Sequence, residues 1–134
     1  MSPTSILIIA HAPLAHALRE CALHVFADCG SSVAALDVQP NQPPEESLAQ
    51  ARIMLDQLGT DTTLVLTDVF GATPSNGAQR LAGDQVQVLS GVSVPMLWRS
   101  LCYASRTSLT ELARCAAQGA ATGVVATPSL PSAE

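Results

Sequence analysis

Residues 64–81 read LVLTDVFGATPSNGAQRL, and this stretch decides the fold. Its first half is an apolar run ending in Asp68, which is typical of a strand buried on both faces of a parallel sheet. Its second half offers Gly71 for a tight turn, Thr73 as an N-cap and Pro74 as a first helical residue. The stretch therefore predicts a strand–turn–helix unit with its turn at the carboxyl end of the strand.

The same alternation continues on both sides of this unit. Apolar runs predict further strands at 5–10, 32–38 and 85–91, and a short last strand at 123–127. Helices are predicted over 13–28, up to about residue 58 after a proline-rich loop, and over 74–82, 95–105 and 108–119. In the first helix the apolar face is expected to hold Leu14, Leu18, Cys21, Val25 and Phe26.

Strands that alternate with helices predict an α/β fold: a single-domain open, mostly parallel sheet with helices on both faces. The domain is expected over 1–127, with a disordered tail at 128–134. The short C-terminal strand is apolar and has no helix after it to cover its edge. We therefore expect a homodimer in which this strand is exchanged between subunits.

Composition narrows the function classes. The chain has 134 residues, a formal charge of −5 and no lysine, so it lacks the basic face that nucleic-acid binding needs. The N-terminal segment lacks a basic region and a long apolar run, and no segment is long enough to insert into a membrane. We expect a cytoplasmic protein whose four cysteines are buried or half-buried, without a disulfide or zinc spacing.

His11 and Asp68 each follow a predicted strand, and in a parallel sheet ligands bind at the carboxyl ends of the strands. If the two strands are neighbours, the Asp68 carboxylate accepts a hydrogen bond from one ring nitrogen of His11 and leaves the other nitrogen free as a nucleophile. A phosphoryl group on that nitrogen would then reach the amides after Gly71.

Three segments carry a family resemblance: IIAHAPLA at 8–15, LVLTDVFGATPSN at 64–76 and SGVSVPML at 90–97. With them the chain, over roughly 6–127, resembles the IIA component of the mannose family of the bacterial sugar phosphotransferase system. The resemblance implies that His11 is the phosphorylated residue, that Asp68 is its partner, and that Gly71, Ala72 and Thr73 hold the phosphoryl group. It also implies phospho-HPr as donor and a IIB component as acceptor. We expect no cofactor and no metal.

Two departures from the family pattern bear on partner docking. Ala12 and Pro13 follow the histidine where many members have glycine, and Ser93 replaces a common asparagine. Ser93, Pro95, Trp98 and Arg99 are weak docking candidates, although packing is the simpler role for Trp98. A regulatory IIA-like protein, whose phosphorylation state controls binding to a partner protein, is the alternative to a transport phosphocarrier.

Other classes lack their required residues. A receiver domain of two-component signalling needs an acidic pair after its first strand and a lysine, and a dinucleotide-binding domain needs a G-x-G-x-x-G turn there. His16, Glu20 and His24 share one helix face at a spacing that metal ligands can have. An ordinary solvated face is the simpler interpretation of those three residues.

Overall fold

Four apolar segments form one parallel sheet in the computed structural model, which describes residues 3–132. The strands are β1 (Thr4–His11), β2 (Val33–Val38), β3 (Thr62–Thr67) and β4 (Val86–Ser90), in the order β2-β1-β3-β4. All three strand pairs are parallel. The alternation seen in the sequence thus yields the open α/β sheet that it predicts.

Within residues 3–132, five α-helices cover the two faces of the sheet: α1 (Leu14–Val25), α2 (Pro44–Leu58), α3 (Thr73–Gln79), α4 (Val94–Tyr103) and α5 (Leu109–Thr122). Ile6 and Ile8 of β1 point into a core shared with α1, α4 and α5. Leu7 and Ile9 point the opposite way, into a core shared with α2 and α3. Because successive strand residues face opposite sides, β1 is buried on both faces, as its unbroken apolar sequence indicates.

Local signals fix the end of α2 and the start of α5 where the sequence predicts. Gly59 follows α2 with φ 67°, the left-handed conformation that favours glycine at a helix end. Ser108 Oγ accepts the N–H of Glu111 at 3.3 Å and caps α5. Among residues 3–132, no helix combines the length and the apolar character needed to cross a bilayer.

The order of the strands creates a crevice between β1 and β3. The chain leaves β1 toward β2 on one side, and then crosses to β3 on the other side of β1. The connections after β1 and after β3 therefore diverge, which is the arrangement that opens a binding crevice at the carboxyl edge of a parallel sheet. His11 is the last residue of β1, and Asp68 directly follows β3.

The strand predicted at 123–127 is wrong for the single chain. Helix α5 continues to Thr122, and residues 123–127 form neither helix nor strand. Val124 and Val125 are 85% and 78% exposed, so their apolar character reflects no packing within this chain. Residues 128–132 also lack helix and strand and are exposed, while the last part of the predicted tail, 133–134, lies outside the described residues.

The predicted inner face of α1 is also partly wrong. Its buried residues are Ala15, Leu18 and Ala22, whereas Leu14 and Val25 are exposed. Small alanines on the buried face bring the helix close to the sheet, which hydrophobicity alone does not indicate. One cysteine also departs from expectation: Cys102 is exposed, whereas Cys21, Cys29 and Cys115 are half-buried.

Candidate functional site

His11 and Asp68 meet at the carboxyl edge of the sheet, as the sequence predicts for neighbouring strands. Their side chains are joined by a hydrogen bond of 2.7 Å between His11 Nδ1 and Asp68 Oδ2. The His11 side chain is 52% exposed, while that of Asp68 is only 10% exposed. A carboxylate at Nδ1 favours the proton on that nitrogen, so Nε2 keeps its lone pair on a ring that is half exposed.

Three N–H groups hold the Asp68 carboxylate. The backbone N–H of His11 donates to Oδ2 at 3.0 Å, the ring donates to the same oxygen, and the N–H of Val69 donates to Oδ1 at 2.8 Å. Burial raises the pKa of Asp68, but the hydrogen bonds from His11 and Val69 outweigh it, so its pKa lies below the ordinary value. The carboxylate therefore stays ionised near neutral pH.

This shifted pKa predicts a pH dependence of stability. A carboxyl group whose pKa is lower in the folded state stabilises the fold above its unfolded pKa of about 3.9, and that contribution is lost as the pH falls through the folded value. We expect the difference in free energy of unfolding between the wild type and Asp68→Asn to shrink as the pH falls below about 3.9. Urea unfolding at a series of pH values measures it, with Asp56→Asn, at an exposed position of α2, as the control. A difference that is constant across the acid range would contradict the prediction.

The turn after Asp68 presents backbone donors at the same edge of the sheet. Gly71 has φ +91°, which favours glycine, and the Asn76 side-chain amide donates to the Gly71 carbonyl at 3.0 Å. The N–H groups of Gly71 and Thr73 have no hydrogen-bond acceptor within residues 3–132. The N–H of Ala72, however, already donates to the Val69 carbonyl at 3.2 Å. Of the three predicted phosphate-binding residues, Gly71 and Thr73 thus have available amides.

The predicted N-cap of the following helix is wrong by one residue. Helix α3 begins at Thr73, its cap is Ala72 in an extended conformation, and Pro74 lies in its first turn. The N–H of Asn76 donates to the Ala72 carbonyl at 2.9 Å, so the first turn of the helix closes on Ala72. The exposed Thr73 side chain is therefore not used as a cap.

The loop after β4 is attached to the same edge. The N–H of Gly91 donates to the Asp68 carbonyl and that of Val92 to the Thr67 carbonyl, each at 2.9 Å. Ser93 then caps α4, since its Oγ accepts the N–H of Met96 at 3.2 Å. The loop after β4 thus lies beside the turn after β3, and Ser93 has a structural role of its own.

The weak docking candidates on α4 differ in their environments. Pro95 is exposed and the Trp98 side chain is 38% exposed, so both are accessible. The Arg99 side chain packs where Gly119 of α5 leaves room, because a Cβ at that glycine would lie 2.8 Å from Arg99 Cβ. Trp98 is thus the better candidate for contact with another protein, while the stem of Arg99 packs against α5.

Two apolar residues next to Asp68 escaped sequence reasoning. Val69 is 58% exposed and Phe70 is 75% exposed, and both follow the carboxylate that holds His11. An aromatic side chain left in solvent beside a reactive group favours contact with a protein surface. The sequence did offer a signal for Phe70. Only four of 134 residues are Phe, Trp or Tyr, so an aromatic residue directly after Asp68 was a candidate for partner contact.

Sequence reasoning also missed Asp37. Its carboxylate accepts the backbone N–H groups of Ala15 and His16 at the start of α1, at 2.9 and 3.3 Å, and also bonds the His16 ring. Metal ligation by the three α1 residues receives no support: His16, Glu20 and His24 are exposed, and within the described part of the chain no three or more His, Cys, Asp or Glu side chains converge.

Comparison with known proteins identifies the family and the fold. A family model of the EIIA-man type, described as the PTS system fructose IIA component, matches residues 5–116. The mannose/sorbose specific IIA subunit of the phosphotransferase system from Enterococcus faecalis is 25% identical, with a TM-score of 0.80 and 100% of both chains covered. No curated protein matches the sequence significantly.

Two further solved structures share the fold. The PTS IIA protein associated with the fucose utilization operon from Streptococcus pneumoniae is 23% identical, with a TM-score of 0.79 and coverage of 96% of this chain and 97% of that one. A sigma-54 interaction domain protein from Enterococcus faecalis is 14% identical, with a TM-score of 0.75 and coverage of 91% and 93%. Since the family match spans most of the sequence and includes both His11 and Asp68, the chain belongs to the EIIA-man family of phosphotransferase-system IIA components.

Proposed function

We propose that this chain is a cytoplasmic phosphocarrier, which accepts a phosphoryl group from phospho-HPr on His11 and passes it to a IIB component. The observation that carries the proposal is the 2.7 Å bond between His11 Nδ1 and Asp68, which leaves an exposed Nε2 as the nucleophile. Membership of the family supports phosphoryl transfer in general. The donor, the acceptor and the residues in the reaction are our assignments.

In the proposed step, the lone pair of His11 Nε2 attacks the phosphorus of the donor phosphohistidine. The new P–N bond forms as the P–N bond of the donor breaks, and the donor imidazole leaves with that electron pair. The proton on His11 Nδ1 stays in its hydrogen bond to Asp68, whose negative charge stabilises the positive charge that develops on the ring. Transfer to the IIB component is the same exchange with the His11 imidazole as the leaving group. Because neither step needs much proton transfer, positioning and charge supply most of the catalysis.

The turn at 71–73 is proposed to hold the phosphoryl oxygens. Support comes from the N–H groups of Gly71 and Thr73, which have no other acceptor in the described residues. Backbone donors fixed before the reaction stabilise negative charge without reorganising. Ala72 contributes to the shape of the turn, since its own N–H is engaged.

The proposed docking surface for both protein partners surrounds His11 and includes Val69, Phe70 and Trp98. All three side chains are exposed, at 58%, 75% and 38%. Transfer between two proteins requires that water be excluded from the phosphoryl group. Apolar side chains around His11 that pack against the partner protein would exclude it.

A regulatory function is the second candidate. The name of one structural neighbour, the sigma-54 interaction domain protein from Enterococcus faecalis, suggests this candidate, while the likeness itself, at 14% identity, shows the fold alone. In this function His11 is still phosphorylated, but the phosphorylated protein binds or releases a partner in place of passing the group on. The two functions differ in whether a IIB component removes the phosphoryl group.

A transfer assay tests the proposal. Enzyme I, HPr and phosphoenolpyruvate are supplied, and the protein is expected to acquire an acid-labile, base-stable phosphate. Adding a IIB component should then discharge it. Absence of label with active HPr would overturn both functions, and label that no IIB component removes would favour regulation.

We propose that the protein is a homodimer in which residues 123–127 pair with β4 of a second copy. β4 is an edge strand, and Val124 and Val125 are almost fully exposed in the single chain. Val125→Asp should place a charge in this contact and shift the dimer toward monomer by about tenfold or more in dissociation constant. Sedimentation equilibrium measures it, and Leu130→Asp is a matched control because Leu130 is equally exposed, at 78%. A wild type that is monomeric at micromolar concentration would refute the exchange.

A further inference from the structure

A second imidazole–carboxylate pair lies one strand away from the first. His16 Nδ1 and Asp37 Oδ2 are 2.7 Å apart, the same distance as in the His11–Asp68 pair. Asp37 lies opposite Ala10 in the β1–β2 register, so both pairs occupy the carboxyl edge of the sheet. The His16 side chain is 64% exposed, and its Nε2 is left as a hydrogen-bond acceptor.

This second pair borders an open cleft of about 770 Å³ formed by β2, the loop at 39–43 and α2. The volume lies within the range of small-molecule sites in proteins. β2 is at the edge of the sheet, so its outward backbone groups have no strand partner. Five side-chain amides line the same cleft, those of Gln39, Asn41, Gln42, Gln50 and Gln57.

The charges of the cleft exclude an anionic ligand. Its lining, in the part of the chain that the structure describes, contains no arginine and has two carboxylates, Asp37 and Glu46. A strongly cationic ligand is not required either, because Asp37 already accepts three N–H groups. What remains is a surface of mixed donors and acceptors, with Leu36 and Met54 supplying apolar contact.

We propose that this cleft binds an uncharged polyhydroxy compound of monosaccharide to disaccharide size, with His16 Nε2 accepting a hydrogen bond from a ligand hydroxyl. Hydroxyl groups of a ligand both donate and accept hydrogen bonds, so they can pair with the donors and the acceptors of the side-chain amides and of the backbone. The C–H faces of such a compound suit the apolar part of the lining. The site is separate from the phosphoryl site at His11, so each can fail without the other.

The test is an NMR titration of the 134-residue protein with a hexose, a hexitol and a disaccharide, following the ring signals of His11, His16 and His24. At least one compound should give saturable shifts at His16 with a dissociation constant on the order of 1 mM. The corresponding hexose phosphate should bind at least about tenfold more weakly, because it is an anion.

His16→Ala should weaken this binding about tenfold. His24→Ala is the matched control, since it removes the same side chain from the same helix outside the cleft. Gln50→Ala removes a side-chain amide from the α2 wall of the cleft and is a second test variant in case His16→Ala disturbs α1. Circular dichroism reports the folding of both variants. His16→Ala should still accept phosphate from phospho-HPr, which keeps the two sites distinguishable.

Several results would overturn the proposal. One is the absence of a saturable shift with any of the three compounds up to about 10 mM. Another is a set of shifts centred on His11. A third is an affinity that is unchanged in both His16→Ala and Gln50→Ala. Tighter binding of the hexose phosphate than of the hexose would also refute it, because the charge argument would then be wrong.

Discussion

His11→Ala is expected to fold normally and to accept no phosphoryl group from phospho-HPr. The substitution removes the imidazole whose Nδ1 is bonded to Asp68, and with it Nε2, the proposed nucleophile. The fold should survive, because the His11 side chain is half exposed and because its backbone N–H, which donates to Asp68 at 3.0 Å, is kept in the variant. Loss of the nucleophile leaves no slower route through the same site, so labelling should fall to background.

The measurement is incorporation of radiolabelled phosphate from phosphoenolpyruvate through enzyme I and HPr, followed by mass spectrometry of the labelled peptide. His16→Ala and His24→Ala are matched controls, because His16 and His24 are the remaining histidines of the chain and both are exposed. Each control should label as the wild type does. Label that persists on His16 or His24 in a folded His11→Ala protein would remove His11 from the proposed role.

The sequence was informative about this site because the relevant residues follow strands. A buried parallel strand leaves a continuous apolar run, so its end is visible, and His11 and Asp68 each stand at such an end. The sequence does not fix which strands are neighbours, and the pairing of β1 with β3 depends on how the whole sheet packs. The sequence therefore predicts the hydrogen bond between His11 and Asp68 only on the condition that β1 and β3 are neighbours.

The errors arise where tertiary contacts outweigh local pattern. Residues 123–127 have the composition of a strand, but within the single chain they pair with neither edge strand of the sheet. In α1 the alanines face the sheet because close approach favours small side chains over large apolar ones. Asp37 was invisible to motif reasoning because it is a single acidic residue inside a strand pattern, and only the fold brings it to α1.

Asp68→Asn is expected to slow transfer from phospho-HPr on the order of 10²-fold, or ~3 kcal/mol of activation free energy. Asparagine has almost the same shape, and the loss of one acceptor at Val69 N–H should cost only about 1 kcal/mol of stability. A comparable substitution in a hydrolase triad lowers turnover by roughly 10⁴. We expect a smaller loss here because phosphoryl transfer between two imidazoles needs little acid–base chemistry.

The hydrogen bonds of Asp68 show which part of this loss is due to charge. Oδ2 accepts two N–H groups, from the His11 backbone and ring, whereas Oδ1 accepts one from Val69. An asparagine at this position should therefore place its single oxygen toward His11 and its NH₂ toward Val69, which keeps the proton on Nδ1. The tautomer then survives, and what is lost is the negative charge that stabilises the imidazole as it becomes cationic.

Stopped-flow transfer gives the rate, circular dichroism gives folding, and nitrogen NMR of the His11 ring gives the tautomer. A folded variant with an unchanged rate would exclude Asp68 from the mechanism, and a slow variant with the proton moved to Nε2 would assign the loss to the tautomer in place of the charge.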